Sequence, residues 1–345
     1  MGVGGMTTQP QPIILDFETY YDKEYSLSKM SNMQYVMSPL FEAIGCSADW
    51  GDGHGARWYA AGAHLDAAMR HLKSLPATLV IAHNAVFDAS ILRWRYGIAP
   101  TYVVCTLSAA RSVGVVSSVG GSLAALADTM RAAGIDIPRK GTEVYNNMGK
   151  RAADFTPEQL VAYGAYCSTD VVITKRLFEE LCKELPNDEW VWQDTVLKMY
   201  VNSGLQIDVP VVEEELARVR LRRKTAAERL ATTLGVPDVM SLLPILNSGP
   251  KFAEALKLFG AEPPTKISKA TGNSTWAMGK TDPEFLAMLE HDDENVRELV
   301  TARLGLKSSI EETRCETFLE VAKYGMFPVP YKISGALTHR LSGGE

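Results

Sequence analysis

The stretch Ile13–Glu18 reads IILDFE, an apolar run that gives way to alternation, and this pattern predicts a β-strand. Phe41–Asp49 and Ala56–Ala60 read as two more strands, joined by the glycine-rich turn GDGHG as a hairpin requires. A helix over Leu65–Leu75 leads to the apolar strand Thr78–Asn84, a helix starting near Val86, and a further strand over Thr101–Cys105. Several helices follow, ending with one around Cys167–Leu185. Hairpin strands followed by strand–helix–strand units predict an α/β domain with a mixed sheet. After Pro186 the periodicity is helical: Glu189–Ser203, Val211–Leu234, Lys251–Phe259, Pro283–Glu290 and a long segment over Asn295–Ala322. Loop-forming stretches such as NSGPK and AEPPTKISKATGNS separate these helices.

Composition changes this picture little. A chain of 345 residues, 46% hydrophobic and 22% charged, has room for two domains of ordinary size. Its opening, MGVGGMTTQPQP, has neither a basic nor an apolar region and reads as a flexible leader over residues 1–11 rather than a secretory signal. No run approaches a membrane span. The 5 cysteines are odd in number and scattered, which points to a reducing cytoplasm. The net charge of -6 argues against a generic basic nucleic-acid binder, though not against an enzyme whose acidic site is offset by metal cations.

Three acidic stations carry the candidate chemistry. In a strand, residues i and i+2 share a face, so Asp16 and Glu18 project together while Leu15 and Phe17 turn the other way. Carboxylates held that close repel unless a proton or cation sits between them, and a hard divalent cation suits oxygen ligands. A chance pair is the plainer alternative in a chain with 41 acidic residues. The second station, IAHNAVFD, holds Asn84 and Asp88, which also fit helix-capping roles. The third, AYGAYCSTD, places Tyr166 four positions before Asp170, on one helical face; Tyr166 also fits a packing role. His83, beside an apolar strand, reads as structural rather than as a metal ligand.

Taken together, D-x-E on a first strand, N-x-x-F-D after a later one and Y-x-x-x-D on a helix resemble the DEDDy family of 3′–5′ exonucleases. That resemblance implies a ribonuclease-H-like fold over residues 12–186 and two-metal phosphodiester hydrolysis. It implies Asp16 bridging two ions, Glu18 and Asp170 completing the first, and Asp88 holding the second through water. Tyr166 would orient the attacking water with Glu18. Mg2+ is the implied ion and Mn2+ a substitute. A single-stranded or frayed DNA 3′ end is the implied substrate, with Asn84 and Thr19 at the terminal nucleotide and Tyr20 and Tyr21 as stacking surfaces.

The resemblance extends to bacteriophage-type family A DNA polymerases. NMQYVMSPLFEAIGCSADWGDG and VCTLSAARSVGVVSSVGGSLAALADTM are similar to their exonuclease region. VNSGLQIDVPVV, NSGPKFAEALKLFG and ARLGLKSSIEETRCETFLEVA resemble the thumb, here 187–330. SGALTHRLSGG resembles the start of the palm, 331–345, with His339 where the family has glycine. This implies Lys251 and Lys307-Ser308-Ser309 as contacts to duplex DNA, and Arg340 as a minor-groove contact. The run Arg218, Arg220, Arg222, Arg223, Lys224 reads either as a DNA track or as a solvated face paired with Glu213–Glu215. His291-Asp292-Asp293 imitates a polymerase motif but fits a helix N-cap. The polymerase carboxylates would follow Glu345, so an exonuclease without polymerase activity is expected, from a fragment or a split gene, with a separate palm–fingers chain as a candidate partner and the cytoplasm (a host's, if phage-borne) as its place. A non-catalytic DNA-holding subunit and a free-standing RNA 3′–5′ exonuclease are the alternatives.

Overall fold

The strand that carries Asp16 and Glu18 lies at the middle of a five-stranded sheet. The computed structural model describes residues 9–141, 147–268, 272–306, 310–336 and 338–344. They fall into two units, one running to Leu205 and resuming at Phe327, the other spanning Gln206–Met326.

In the first unit, β1 (Gln11–Thr19) is followed by α1 (Asn32–Met37), β2 (Ala43–Asp49), β3 (Ala56–Ala60), α2 (Ala63–Ser74), β4 (Thr78–Ala82), α3 (Val86–Tyr96) and β5 (Tyr102–Cys105). The helices α4 (Thr106–Ser112), α5 (Val116–Val119), α6 (Leu123–Ala132), α7 (Pro157–Glu184) and α8 (Asn187–Val201) complete it. The order across the sheet is β3-β2-β1-β4-β5, with β1 antiparallel to β2 and parallel to β4. Alternation along β1 sorts its side chains. Ile13, Leu15 and Phe17 enter a core with Val36 of α1, Leu65 and Leu72 of α2 and Leu92 of α3. Ile14 faces the other way, toward Val171 of α7. Each such buried side chain contributes about 1.5–3 kcal/mol, which offsets the cost of drawing acids into the sheet beside them.

Several elements differ from expectation. β1 begins at Gln11, inside the expected leader, because Gln11–Ile14 pair with Thr78–Ile81. α7 starts well before Cys167: Thr156 and Gln159 form a capping box and Pro157 opens the helix. The compact unit continues past residue 187, where a change of domain is expected, as far as Leu205. Pro186 precedes the N-terminus of α8 without ending the unit, and Val196, Leu197, Tyr200 and Val201 pack with Ala82, Ala85 and Val103. Asp194 fixes α8 to the sheet edge by accepting the Val103 amide at 2.8 Å. The described residues of 331–344 also join this unit, where Ile333 enters the same cluster and two short strands, labelled β8 (Tyr331–Lys332) and β9 (Ser342–Gly343) in chain order, pair. His339 takes φ +56°, the left-handed backbone that glycine adopts freely.

The second unit holds α9 (Val209–Thr233), α10 (Val239–Asn247), α11 (Gly249–Leu258), the hairpin β6 (Thr265–Ile267) and β7 (Ser274–Trp276), α12 (Pro283–Ala287), α13 (Glu294–Leu306) and α14 (Ile310–Ala322). Leu230, Leu242, Phe252, Phe285 and Leu299 form its core. Within the expected long helix over Asn295–Ala322, the described residues are helical as α13 and α14. Lys307, Ser308 and Ser309 lie outside the described residues.

Candidate functional site

Asp16 and Glu18 project from the face of β1 that α7 covers. Ser168 of α7 fixes that packing with a 2.7 Å hydroxyl contact to Ser47, the β2 partner of Asp16. Along α7, Tyr163, Tyr166, Cys167 and Asp170 fall at i, i+3, i+4 and i+7, one helical face, and all four are buried. Tyr163 donates a 2.6 Å hydrogen bond to Glu18 Oε2. Cys167 donates to the Asp16 carbonyl at 3.3 Å and to Asp16 Oδ2 at 3.4 Å. Ligand-type atoms of Asp16, Glu18 and Cys167 lie within 4.8 Å of one another.

Asp88 arrives from a different direction. Pairing of β1 with β4 ends at Ile14, while β1 itself continues to Thr19. In the gap, Asp88 in the first turn of α3 accepts the Phe17 amide through Oδ1 at 3.1 Å. Asp170 completes the cluster and is joined by Lys140, whose ammonium donates to Asp170 Oδ2. The same ammonium stands 5.0 Å from the Tyr166 ring centroid.

Burial and mutual repulsion set the electrostatics. Burial, then Asp170, push the Asp16 carboxyl up to about 7. Burial, then Asp16, push Glu18 up to about 8, although the Tyr163 hydroxyl holds it down. Asp88 is raised well above the usual range by burial and by Asp16. Carboxyls in that state take either protons or cations. Burial raises the Cys167 thiol as well, so it stays protonated and acts as a donor to Asp16. The carboxylate oxygens of Asp16 and Glu18, which lie close together, are hard donors of the kind a divalent cation takes. Burial and Asp170 raise the Tyr166 phenol, which remains neutral.

The other predicted residues fall out differently. Thr19 is buried with its hydroxyl on Tyr35 at 2.8 Å, so it is turned into the protein rather than toward a nucleotide. Asn84 is exposed at φ +60°, two residues before α3. Tyr20 donates to Asp22 at 2.6 Å and carries the Arg151 guanidinium 4.0 Å over its ring. Tyr21 is partly buried against the core. Both nitrogens of His83 are engaged, Nδ1 with Thr106 at 2.9 Å and Nε2 with the Gly121 carbonyl at 3.0 Å, and burial lowers its pKa to about 4. Lys251 is exposed in the first turn of α11, and Arg340 donates to Thr338 at 3.0 Å. Arg220 binds Glu312 and Glu316 at 2.9 and 2.7 Å, Arg222 binds Glu311 and Arg223 binds Glu312, so this run ties α9 to α14. Asp293 caps α13 by accepting the Asn295 amide at 2.7 Å. Tyr163, Cys167 and Lys140 are site residues that sequence reasoning missed. The spacing that singled out Tyr166 and Asp170 also encloses the first two, whereas Lys140 lies on an aperiodic segment.

A mixed sheet with acids on its central strand and a covering helix defines a ribonuclease-H-like α/β domain, followed by a helical region. Residues 36–186 match the family model described as 3′–5′ exonuclease, of the DNA polymerase A type. The match begins after β1, so Asp16 and Glu18 precede it. The POL domain of Pol1 from M. smegmatis, solved in complex with DNA primer-template and dNTP, is similar at TM-score 0.55 and 15% identity, over 98% of this chain and 51% of that one. The chain thus spans about half the length of that structure. Brucella melitensis NrnC with bound Mg2+ is similar at TM-score 0.37 and 18% identity, over 55% of this chain and 82% of that one. No curated protein matches this chain.

Proposed function

We propose that the chain is a divalent-metal-dependent 3′–5′ exonuclease of proofreading type, removing terminal nucleotides from DNA 3′ ends. One observation supports this reading above the rest. Asp16 and Glu18 project together from β1 onto the face of α7 that carries Tyr163, Tyr166, Cys167 and Asp170, with Tyr163 bonded to Glu18 and Cys167 to Asp16, while Asp88 of α3 accepts the Phe17 amide between them. Asp16, Glu18, Asp88 and Asp170 would hold the metal, two Mg2+ ions in this proposal, with Mn2+ as a substitute. When bound, such ions stabilise the negative charge that builds on the phosphate.

The protein's own residues set up that chemistry. Tyr163 orients Glu18, and the Phe17 amide orients Asp88. Tyr166, kept as a neutral phenol, positions the attacking water instead of removing its proton. Hydrolysis adds water across the P–O3′ bond, releasing a nucleoside 5′-monophosphate and leaving a new 3′ hydroxyl. Lys251 and Arg340 are proposed phosphate and groove contacts, the former with duplex DNA held by the helical unit.

The test is release of a 3′ label from matched DNA and RNA strands in Mg2+. DNA shortening is expected, lost on Asp16→Asn and in excess EDTA, and strongly slowed by Tyr166→Phe. Equal release in EDTA would remove the metal mechanism. Faster release from RNA would favour an RNA-processing role, and no release from either strand would favour a DNA-holding subunit.

A further inference from the structure

Lys140 stands inside the acid cluster, yet nothing in the proposed hydrolysis requires it. Its placement is built. Ile137, three residues earlier, is buried among Leu126 of α6 and Ile173 and Leu177 of α7. The Pro138 carbonyl accepts a 2.6 Å hydrogen bond from Arg131 of α6. From that pinned stem the Lys140 side chain, 24% exposed, reaches Asp170, which is buried, and the Tyr166 ring. Its charge is also felt by Asp16 and Glu18, where it opposes the repulsion among the carboxylates.

We infer that Lys140 is a positioning residue and internal counter-cation, holding Asp170 and Tyr166 in place until a divalent ion displaces it from the carboxylate. This inference rests on the metal-dependent reading above. A carboxylate oxygen that binds an ammonium at hydrogen-bond range cannot also sit in the coordination sphere of a hard cation without bringing two positive charges into contact. The two cations therefore compete for Asp170 Oδ2, and an ion taken by the other oxygen still meets the ammonium's repulsion across a single carboxylate. The lysine keeps the cluster assembled when metal is scarce and weakens metal binding by the strength of its own grip. Neutralising it should tighten metal binding, by roughly 5- to 150-fold if the coupling is of ordinary size, while loosening the metal-free protein. A merely structural ion pair would give the second effect without the first.

The experiment is a Mn2+ titration of the whole chain in which free ion is counted by its electron paramagnetic resonance signal. Wild type, Asp16→Asn, Lys140→Met, Lys140→Gln and Lys140→Arg are compared, with melting temperatures in EDTA and in Mn2+. Lys140→Met and Lys140→Gln should bind Mn2+ more tightly and melt lower in EDTA, the deficit closing as Mn2+ is added. Lys140→Arg, which keeps the charge, should stay within about twofold of wild type in affinity. Unchanged or weaker binding by the two neutral variants, with wild-type binding still lost in Asp16→Asn, overturns the inference and spares the metal reading. Wild-type binding that is indifferent to Asp16→Asn overturns both. Should Lys140→Met fail to fold in EDTA, Lys140→Gln folded in Mn2+ supplies the same affinity comparison.

Discussion

Replacing Tyr163 with Phe removes a single hydroxyl and leaves the ring, which stacks on Phe155 at 5.5 Å, in place. That hydroxyl donates to Glu18 at 2.6 Å, and the two residues are 2% and 8% exposed. A hydrogen bond to a charged acceptor is worth about 1.5–3 kcal/mol, or roughly one to two pKa units. Glu18 already stands at about 8 with the Tyr163 bond holding it down. Losing the bond moves it higher, so near pH 7.5 the carboxyl is more fully protonated and metal has to displace that proton. The half-saturating Mg2+ concentration should rise by about 10- to 100-fold, with most of the rate recovered at high Mg2+. The assay is release of labelled 3′ nucleotides across a Mg2+ series at pH 7.5. A half-saturation point within twofold of wild type would refute the reasoning, because Glu18 would then not depend on that donor.

Three further outcomes are expected. In EDTA, Asp16 and Glu18 hold protons in the folded state, at about 7 and 8, that the unfolded chain releases near 3.8 and 4.5. Their contribution is therefore full below about pH 4 and lost as pH rises to 8; melting temperatures between pH 6 and 8 should fall with pH, less so in Glu18→Gln, and an equal slope in both proteins would contradict this. Gly164→Ala puts a methyl 2.4 Å from Trp58 Cγ, and overpacking of about 1–3 kcal/mol exceeds the helix-propensity gain of about 1 kcal/mol; denaturant unfolding should show net destabilisation, and a more stable variant would show that Trp58 yields freely. His339→Gly relieves a left-handed strain of about 1–2 kcal/mol at an unfolded-state cost of about 0.4–1 kcal/mol, so a stabilisation near 0.5–1 kcal/mol is expected from the same measurement, and a loss of stability would mean that the imidazole makes a compensating contact.

The sheet was legible in the sequence because strand alternation is local. Leu15 and Phe17 had to oppose Asp16 and Glu18, whatever packed above them. Asp170 and Tyr166 were legible for a similar reason, since four residues make about one helical turn. The hydrogen bond from Tyr163 to Glu18 bridges residues 145 apart, and no local pattern reports it. Lys140 is less visible still, because its segment has neither period and its placement depends on where Ile137 finds a core. That the compact unit runs past Pro186 was not legible, because a proline before a helix looks the same whether or not the helix folds back. Only the apolar face of Val196, Leu197 and Tyr200 reveals that it does.

Strand β4 reaches only Ile81 in its pairing with β1, and this early stop matters more than its length suggests. Had the ladder run on, the Phe17 amide would have been taken by backbone, and α3 would have lost the notch into which Asp88 plugs. Instead His83 and left-handed Asn84 turn the chain away, and a carboxylate fills the vacant rung. The position of that acid is therefore set by the length of a neighbouring strand, so lengthening β4 by even a residue pair should unseat it without touching any ionisable group.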